Sequence, residues 1–257
     1  MTHSIHPAVL IRTLILGLLW LCPALGRADD GNETRPVDAR VERVRLDGVI
    51  DLRIRQGDVA SLKISGDRRY LDKVTCVQTG DTLQLDTEIQ GARMGRPSLR
   101  ADLVLPRLRE LVSEGLGASE VSGFTGDELD VTLDGAGSMK LVAAYRRLRA
   151  NLGGVGSMNV WVKDGDEVAL DLRGAGYVTI GGRSRLLRAS LGGLGGLNAQ
   201  QFDADSVDID LSGLGNATVN ARTNLSLDLS GLGSVTVYGK PLNRKVSVDG
   251  LGRVSWK

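Results

Sequence analysis

Three aspartates have the residue type and spacing that could do chemistry: Asp208, Asp210 and, one repeat further on, Asp228. A pair of carboxyl groups is the usual requirement for glycoside hydrolysis, and clustered carboxylate oxygens are the ligands that Ca²⁺ prefers. Two aromatic residues, Trp161 and Tyr177, are the candidates for a surface that binds a ligand. Which chemistry is available depends on where the surrounding elements place these side chains.

The start of the chain has the pattern of an export signal, which we assign to residues 1–28. Arg12 gives a weakly positive start, residues 14–21 are apolar, and Gly26-Arg27-Ala28 predicts cleavage after Ala28. The alternative is a membrane anchor, but the apolar run is well short of the roughly 20 residues that span a bilayer. Lipid modification of Cys22 is disfavoured because a large residue precedes it. We therefore expect a protein of the periplasm or cell surface, with no transmembrane segment in the mature chain.

Cleavage would remove both histidines, His3 and His6, and would leave Cys76 as the only cysteine. Such a chain cannot build a Ser-His-Asp or Cys-His nucleophile, the usual zinc or copper sites, or an internal disulfide. It would carry 30 basic and 31 acidic residues, a balance that argues against a nucleic-acid partner. We expect no catalytic residue and no cofactor. The only metal candidate is calcium at Asp208, Asp210 and Asp228.

The elements that must position these residues are set by a repeat. Glycine, a small or aliphatic residue and glycine recur eight times, at intervals of 18 to 20 residues. These turn glycines are Gly115, Gly117, Gly135, Gly137, Gly154, Gly156, Gly174, Gly176, Gly193, Gly195, Gly213, Gly215, Gly231, Gly233, Gly250 and Gly252. Apolar residues alternate on both sides of each phrase, which indicates two strands per repeat facing one interior.

The strands recur in the same direction with no helix between them, which predicts an all-β fold. The predicted architecture is a parallel β-helix with about eight coils, each of about 19 residues. A β-propeller or a β-sandwich is the alternative, but neither has this period. The glycines would allow positive φ at a tight corner, and the residue between them would point inward. In the last coil, Trp256 would fill the final core layer. An open end of the stack would also permit homo-oligomers.

The rest of the chain is less regular. We expect a flexible leader at 29–40 and an N-terminal β cap at 41–110, continuous with the glycine-repeat helix at 111–257. Within the cap, a short helical turn falls within 68–77 and a loop spans 91–97.

The phrases Gly135–Ser138, Gly154–Ser157 and Gly231–Ser234, preceded by the segment 49–57, resemble the bacterial "putative auto-transporter adhesin head GIN domain" family. The resemblance covers nearly all of the mature chain. It implies export and a right-handed parallel β-helix, and it supplies no catalytic residues. One departure is that several repeats lack aspartate or asparagine three residues before the glycine.

The outward positions of the repeat divide the surface into faces. Asp210 and Asp228 would stack in adjacent coils and repel each other unless a cation binds them, while Arg188 could pair with Asp208. On another side, loops of alternating sign would either pair across coils or bind an anionic glycan or a partner protein. Their charged residues are Arg146, Arg147, Asp164, Asp166, Glu167, Arg183, Arg185, Asp203 and Asp205.

Two functions remain open at this point. The first is an exported, non-enzymatic binding or structural module, adhesin-like or associated with the cell envelope, whose protein or glycan partner is unknown. The second is a glycan hydrolase or lyase that uses the exposed carboxylates. An enzyme of this kind needs a groove with aromatic subsites, for which Trp161 and Tyr177 are candidates and Tyr145 and Tyr238 could contribute from loop edges.

Overall fold

The glycine repeat folds into a stack of parallel coils. The computed structural model describes residues 30–87 and 99–257 and contains a β-solenoid of about seven turns, which confirms the predicted all-β fold class. The register repeats from coil to coil: Ala136 lies beside Val155, Val155 beside Ala175, and so on through Leu194 and Leu214. The export signal, its cleavage site and the loop at 91–97 lie outside the described residues.

The described residues form seventeen strands and one short helix. In chain order these are β1 (Asp30–Arg35), β2 (Arg43–Leu46), β3 (Asp51–Gln56), β4 (Ser61–Asp67), α1 (Arg68–Leu71), β5 (Val74–Thr79), β6 (Thr82–Thr87), β7 (Arg100–Leu105), β8 (Glu110–Ser113), β9 (Ala118–Leu133), β10 (Ala136–Leu152), β11 (Val155–Leu172), β12 (Ala175–Leu191), β13 (Leu194–Leu211), β14 (Leu214–Leu229), β15 (Ser234–Tyr238), β16 (Asn243–Val248) and β17 (Arg253–Trp256). Each strand from β9 to β14 covers most of one coil and bends at an irregularity in its register.

The interior consists of stacked aliphatic side chains, as the period-two alternation predicts. One ladder comprises Leu152, Leu172, Leu191, Leu211 and Leu229, which are in register and all buried. Burying each leucine contributes about 1.5–3 kcal/mol. Because every layer packs only on its neighbours, stability accumulates along the stack.

The glycine corners differ from the prediction in their physical cause. Among the sixteen turn glycines, only Gly195 and Gly250 have φ in the positive region, at 153° and 151°. The others, except Gly252, are required by close stacking of the backbone: a Cβ on Gly156 would lie 2.0 Å from the carbonyl oxygen of Gly137 in the preceding coil. The prediction that positive φ selects these glycines is therefore wrong at most of the corners.

The residue between the two glycines points outward, not inward as predicted. Leu194 is 57% exposed and Leu214 is 49% exposed. The inner side of the corner is already occupied by a core leucine, since a Cβ on Gly176 would lie 2.7 Å from Cδ2 of Leu152. The result is a row of exposed aliphatic side chains along one edge of the stack, which we call the aliphatic ridge: Leu116, Ala136, Val155, Leu194, Leu214, Leu232 and Leu251 are exposed and Ala175 is half-buried.

The N-terminal cap mixes parallel and antiparallel pairing. Strand β1 pairs antiparallel with β4, so the expected flexible leader at 29–40 is wrong for Asp30–Arg35. Strands β4 and β7, and β5 and β6, are also antiparallel. The predicted helical turn is confirmed as α1, where Asp67 accepts a hydrogen bond of 3.0 Å from the amide of Arg69.

The C-terminal end leaves a core layer partly open. Trp256 lies in register with the buried Val237, as predicted, but it is 42% exposed and does not fill the interior. No further coil covers it in the described part of the chain, and the guanidinium of Arg244 stacks on its ring at 4.5 Å. Val246 and Val248 in the same end layer are also exposed.

Candidate functional site

A charged cleft of about 1200 Å³ crosses the first coils. Its lining contains six arginines and six carboxylates. They are Arg43, Arg107, Arg109, Arg146, Arg147 and Arg185, together with Glu110, Asp127, Glu128, Asp130, Asp166 and Glu167.

Ion pairs between neighbouring coils join most of these charges. Asp166 lies between two arginines, with Nε of Arg146 at 3.0 Å from Oδ2 and Nη2 of Arg185 at 2.9 Å from Oδ1. The hydrogen bond from Arg146, reinforced by the charge of Arg185, lowers the pKa of Asp166 below its usual range. Arg183 also lies 4.0 Å from Asp203. The predicted pairing of these loops across coils is therefore confirmed.

The floor of the cleft is a buried tyrosine. The hydroxyl of Tyr145 donates a hydrogen bond of 2.6 Å to the carbonyl oxygen of Leu108, and desolvation raises its pKa. The ring of Tyr145 occupies the space above Gly126, because a Cβ on Gly126 would lie 2.7 Å from Cε1 of Tyr145. Tyr145 is thus a structural residue that joins the cap to the repeats, and its predicted place at a loop edge is wrong.

The three candidate aspartates are not among the residues that line the cleft, although Asp208 continues the outward row to which Asp130 belongs. All three are exposed, and Asp210 lies directly beside Asp228 in the next coil, as predicted. The expected pair of Arg188 with Asp208 is wrong, because Nη1 of Arg188 lies 2.5 Å from Oε1 of Glu167 instead. Within residues 30–87 and 99–257, no group of three or more histidine, cysteine or acidic side chains is arranged to hold a metal ion.

The side that carries Trp161 and Tyr177 has a different character. It is formed by residues that lie three and five positions after the first glycine of each phrase, from β11 to β15, together with Trp161 and Gly181. We call this surface the neutral face, and its members are Ser157, Asn159, Trp161, Tyr177, Thr179, Gly181, Gly196, Asn198, Asn216, Thr218, Ser234 and Thr236. None of these residues is charged, although a quarter of the whole chain is. The aliphatic ridge borders the neutral face along the glycine corner.

Both aromatic rings lie down across the next coil. A Cβ on Gly181 would be 2.4 Å from Cζ3 of Trp161, so the indole occupies the space of a missing side chain. In the same way, a Cβ on Gly196 would be 2.7 Å from Cε2 of Tyr177. Trp161 remains 49% exposed and Tyr177 remains 41% exposed. The glycines thus hold each ring against the sheet while part of its surface stays open to solvent.

The polar side chains between the rings are available to a ligand. In the described part of the chain, Asn159, Thr179 and Thr218 make no side-chain hydrogen bond to another protein group. At the N-terminal border of the face the charges resume, and they are paired: Nζ of Lys140 lies 3.3 Å from Glu120. The neutral face therefore offers free donors and acceptors, whereas the cleft offers charges that already have partners.

Comparison with known proteins identifies the family. The sequence profile of "Putative auto-transporter adhesin, head GIN domain" matches residues 41–241. The chain belongs to this family. The GIN-domain protein matches no curated protein sequence. Among residues 30–87 and 99–257, no helix has the length and apolarity needed to cross a membrane.

Solved structures share the GIN-domain fold at low sequence identity. A putative adhesin from Parabacteroides distasonis is 21% identical with a TM-score of 0.82, and the match covers 90% of this chain and 98% of the other. A putative adhesin from Parabacteroides merdae is 19% identical with a TM-score of 0.79, over 89% and 96% of the two chains. A putative lipid binding protein from Parabacteroides distasonis is also 19% identical, with a TM-score of 0.75 over the same shares. At these identities the likeness concerns the fold alone.

Two features of the neutral face were missed from the sequence. Gly181 and Gly196 support the aromatic rings, and Gly196 stands where several other phrases carry serine. An aromatic residue followed one period later by glycine is the signal that could have revealed them. Alignment of the phrases also shows that the positions three and five after the first glycine carry no charged residue from Ser157 to Thr236.

Proposed function

We propose that this GIN-domain protein is an exported, non-enzymatic binding module of the adhesin type that holds its partner on the neutral face. The observation that carries the proposal is the contrast between the surfaces. The neutral face is uncharged and keeps unpaired polar groups and two aromatic rings, whereas the arginines of the cleft are joined to carboxylates. Family membership supports an adhesin-like role.

Asp166, the carboxylate held between two arginines in the cleft, is a poor candidate for the general acid of the enzymatic alternative. A general acid in glycoside hydrolysis needs a carboxyl group whose pKa is raised, so that it keeps its proton near neutral pH. The pKa of Asp166 is lowered, because two arginines stabilise its charged form. Asp210 and Asp228 are both exposed and line none of the described pockets, which supports a solvated face in preference to a catalytic or calcium site.

Export and the envelope location rest on the sequence pattern of residues 1–28. N-terminal sequencing of protein recovered from the extracytoplasmic fraction should give Asp29 as the first residue. Recovery of the intact chain from the cytoplasm would contradict this part of the proposal. Self-association through the C-terminal ends is opposed by a positive excess in the end coil, where Lys240, Arg244, Lys245 and Arg253 outnumber Asp249.

The binding role is tested by placing one charge on the neutral face. Thr218→Arg adds a cation within the face, in the fourth of its five coils, and Ser226→Arg adds the same cation on the side that carries Asp208. Both positions are half-buried outward sites of the same strand, β14. We expect the wild-type protein and Ser226→Arg to bind isolated bacterial envelope material, and Thr218→Arg to lose most of that binding. Equal binding by the two variants would place the partner elsewhere, and no binding by the wild type would refute the proposal.

A further inference from the structure

We propose that the ligand of the neutral face is an uncharged glycan chain that stacks on Trp161 and Tyr177. This inference rests on the function proposed above and names the class of ligand for the same face. It concerns a binding site, and no bond is made or broken there.

The two rings provide the stacking surfaces. The face of an aromatic ring carries partial negative charge and attracts C–H groups that are slightly positive, such as those on the apolar side of a sugar ring. Trp161 and Tyr177 are already held against Gly181 and Gly196, so little conformational entropy is lost when a ligand covers them. A ring that projected freely into solvent would lack this advantage.

The groups between the rings match the hydroxyls of a sugar. Asn159 and Thr179 lie side by side in adjacent coils, between the strand positions of Tyr177 and Trp161. An amide and a hydroxyl can each donate and accept hydrogen bonds, which suits a ligand whose hydroxyls do the same. Neither side chain is bonded to another protein group in the described residues, so a ligand would not have to displace an internal partner.

The lack of charge selects an uncharged glycan over an anionic one. A carboxylate or sulfate bound between the two rings would lose water without meeting a cation on the face itself, since the exposed Lys163 lies beyond Trp161 at the edge of the face. Lys140 at the nearer border already pairs with Glu120. At the other border, Arg253 lies in the last coil, five coils from Trp161, or about 24 Å at the usual strand spacing.

The size of the face favours a chain molecule over a folded protein. The neutral face is five coils high, at about 4.8 Å per coil, and six residues wide, at about 3.3 Å per residue, so its area is roughly 500 Å². A stable protein partner usually needs about 800 Å² on each side. The rings are four strand positions and one coil apart, or about 14 Å. That separation exceeds one sugar ring, so the face suits an oligosaccharide or a longer chain.

The chemical class of the ligand can be tested on whole envelope material, before any single glycan is purified. Isolated bacterial envelope material is split into untreated, protease-treated and periodate-treated samples, and binding of the full-length protein to each is measured. Periodate cleaves vicinal diols and so destroys most sugar rings. We expect the protein to bind protease-treated material as well as untreated material. Binding to periodate-treated material should be at least tenfold weaker. An uncharged oligosaccharide fraction released from the envelope should compete, and vesicles of phosphatidylethanolamine and phosphatidylglycerol should not.

Variants then test the two stacking positions. Trp161→Ala and Tyr177→Ala should each weaken binding of the uncharged fraction about tenfold or more. Gly181→Val keeps the indole but pushes it off the sheet, so it should weaken binding as well. Trp256→Ala, which removes a similarly exposed indole at the end of the stack, should bind like wild type. Circular dichroism verifies that each variant is folded.

The outcomes separate this inference from the proposed function. If wild type binds the envelope and Thr218→Arg abolishes binding, but protease destroys the ligand or vesicles compete, the face binds a protein or a lipid and the glycan inference is overturned. Unchanged binding by both Trp161→Ala and Tyr177→Ala would overturn it as well. If wild type does not bind envelope material at all, the proposed function itself fails.

Discussion

Two adjacent glycines, Gly192 and Gly193, should respond in opposite ways to the same substitution. A Cβ on Gly193 would lie 2.1 Å from the carbonyl oxygen of Gly174, far inside van der Waals contact. A Cβ on Gly192 would meet nothing nearer than Oγ of Ser212, at 3.8 Å. Neither glycine has φ in the positive region, so backbone strain contributes to neither change.

The size of the effect follows from these contacts. Gly193→Ala must separate two coils by about 1 Å, and overpacking of this kind costs about 1–3 kcal/mol. The separation also weakens the backbone hydrogen bonds from Gly193 to Leu172 and from Leu194 to Gly174, each contributing about 1 kcal/mol. A loss of about 3–5 kcal/mol should lower Tm by roughly 6–20 °C in a chain of this size. Gly192→Ala should instead stabilise the protein by about 0.4–1 kcal/mol, because it restricts the unfolded chain.

Thermal unfolding followed by far-UV circular dichroism measures both variants under the same conditions. The Tm of Gly193→Ala should fall well below that of wild type, and the Tm of Gly192→Ala should equal or slightly exceed it. If the two variants melt at the same temperature, close backbone stacking does not explain the glycine rows.

Four further predictions concern the cleft, the aspartates and the open end. Tyr145→Phe should lower the unfolding free energy by about 1–3 kcal/mol, because a buried carbonyl oxygen loses its hydrogen-bond donor. The wild-type protein should also lose stability above about pH 10, where the tyrosine of the unfolded chain ionises, and the variant should lack this loss. An unchanged urea midpoint together with an unchanged pH dependence of stability above about pH 10 would contradict this prediction. Asp166→Asn should lower Tm at low salt but not at 1 M salt, because salt screens the ion pairs of Asp166. The stability that Asp166 contributes to the wild-type protein should be lost as pH falls through the lowered pKa of this carboxyl group. A Tm difference between variant and wild type that does not depend on salt would refute the ion-pair role. Replacing both Asp210 and Asp228 by asparagine should leave Tm equal or slightly higher and indifferent to calcium, whereas a calcium-induced rise in wild type that the variant loses would show a cation site. Deleting residues 254–257 should lower Tm and promote oligomers in light scattering, since it exposes the next core layer; unchanged size and melting would exclude a capping role.

The sequence predicts the stack well because its register is periodic. Every Gly-x-Gly phrase returns after a nearly constant interval, so the alignment of Asp210 with Asp228 follows directly from the numbering. The cap has no such repeat, and the antiparallel pairing of β1 with β4 depends on contacts between segments distant in the chain. Local patterns do not encode contacts of this kind.

The site was only partly predictable, for two physical reasons. Alternation assigns side chains to the inside or outside along a straight strand, but it fails at a corner, where the chain turns and Leu214 projects outward. Alternation also assigns Trp256 to the core side correctly, but it cannot show that the indole stays 42% exposed there. Trp161 and Tyr177 could be named from the sequence as exposed aromatics, whereas the glycines beneath them required the register.

Hydroxyl-radical footprinting with envelope material bound tests most directly whether the neutral face is the binding surface. Trp161 and Trp256 have similar exposures, 49% and 42%, so their oxidation rates in the free protein should be comparable. Binding should protect Trp161 and Tyr177 severalfold and leave Trp256 unprotected. Protection of Trp256 with no protection of Trp161 or Tyr177 would contradict binding through the neutral face.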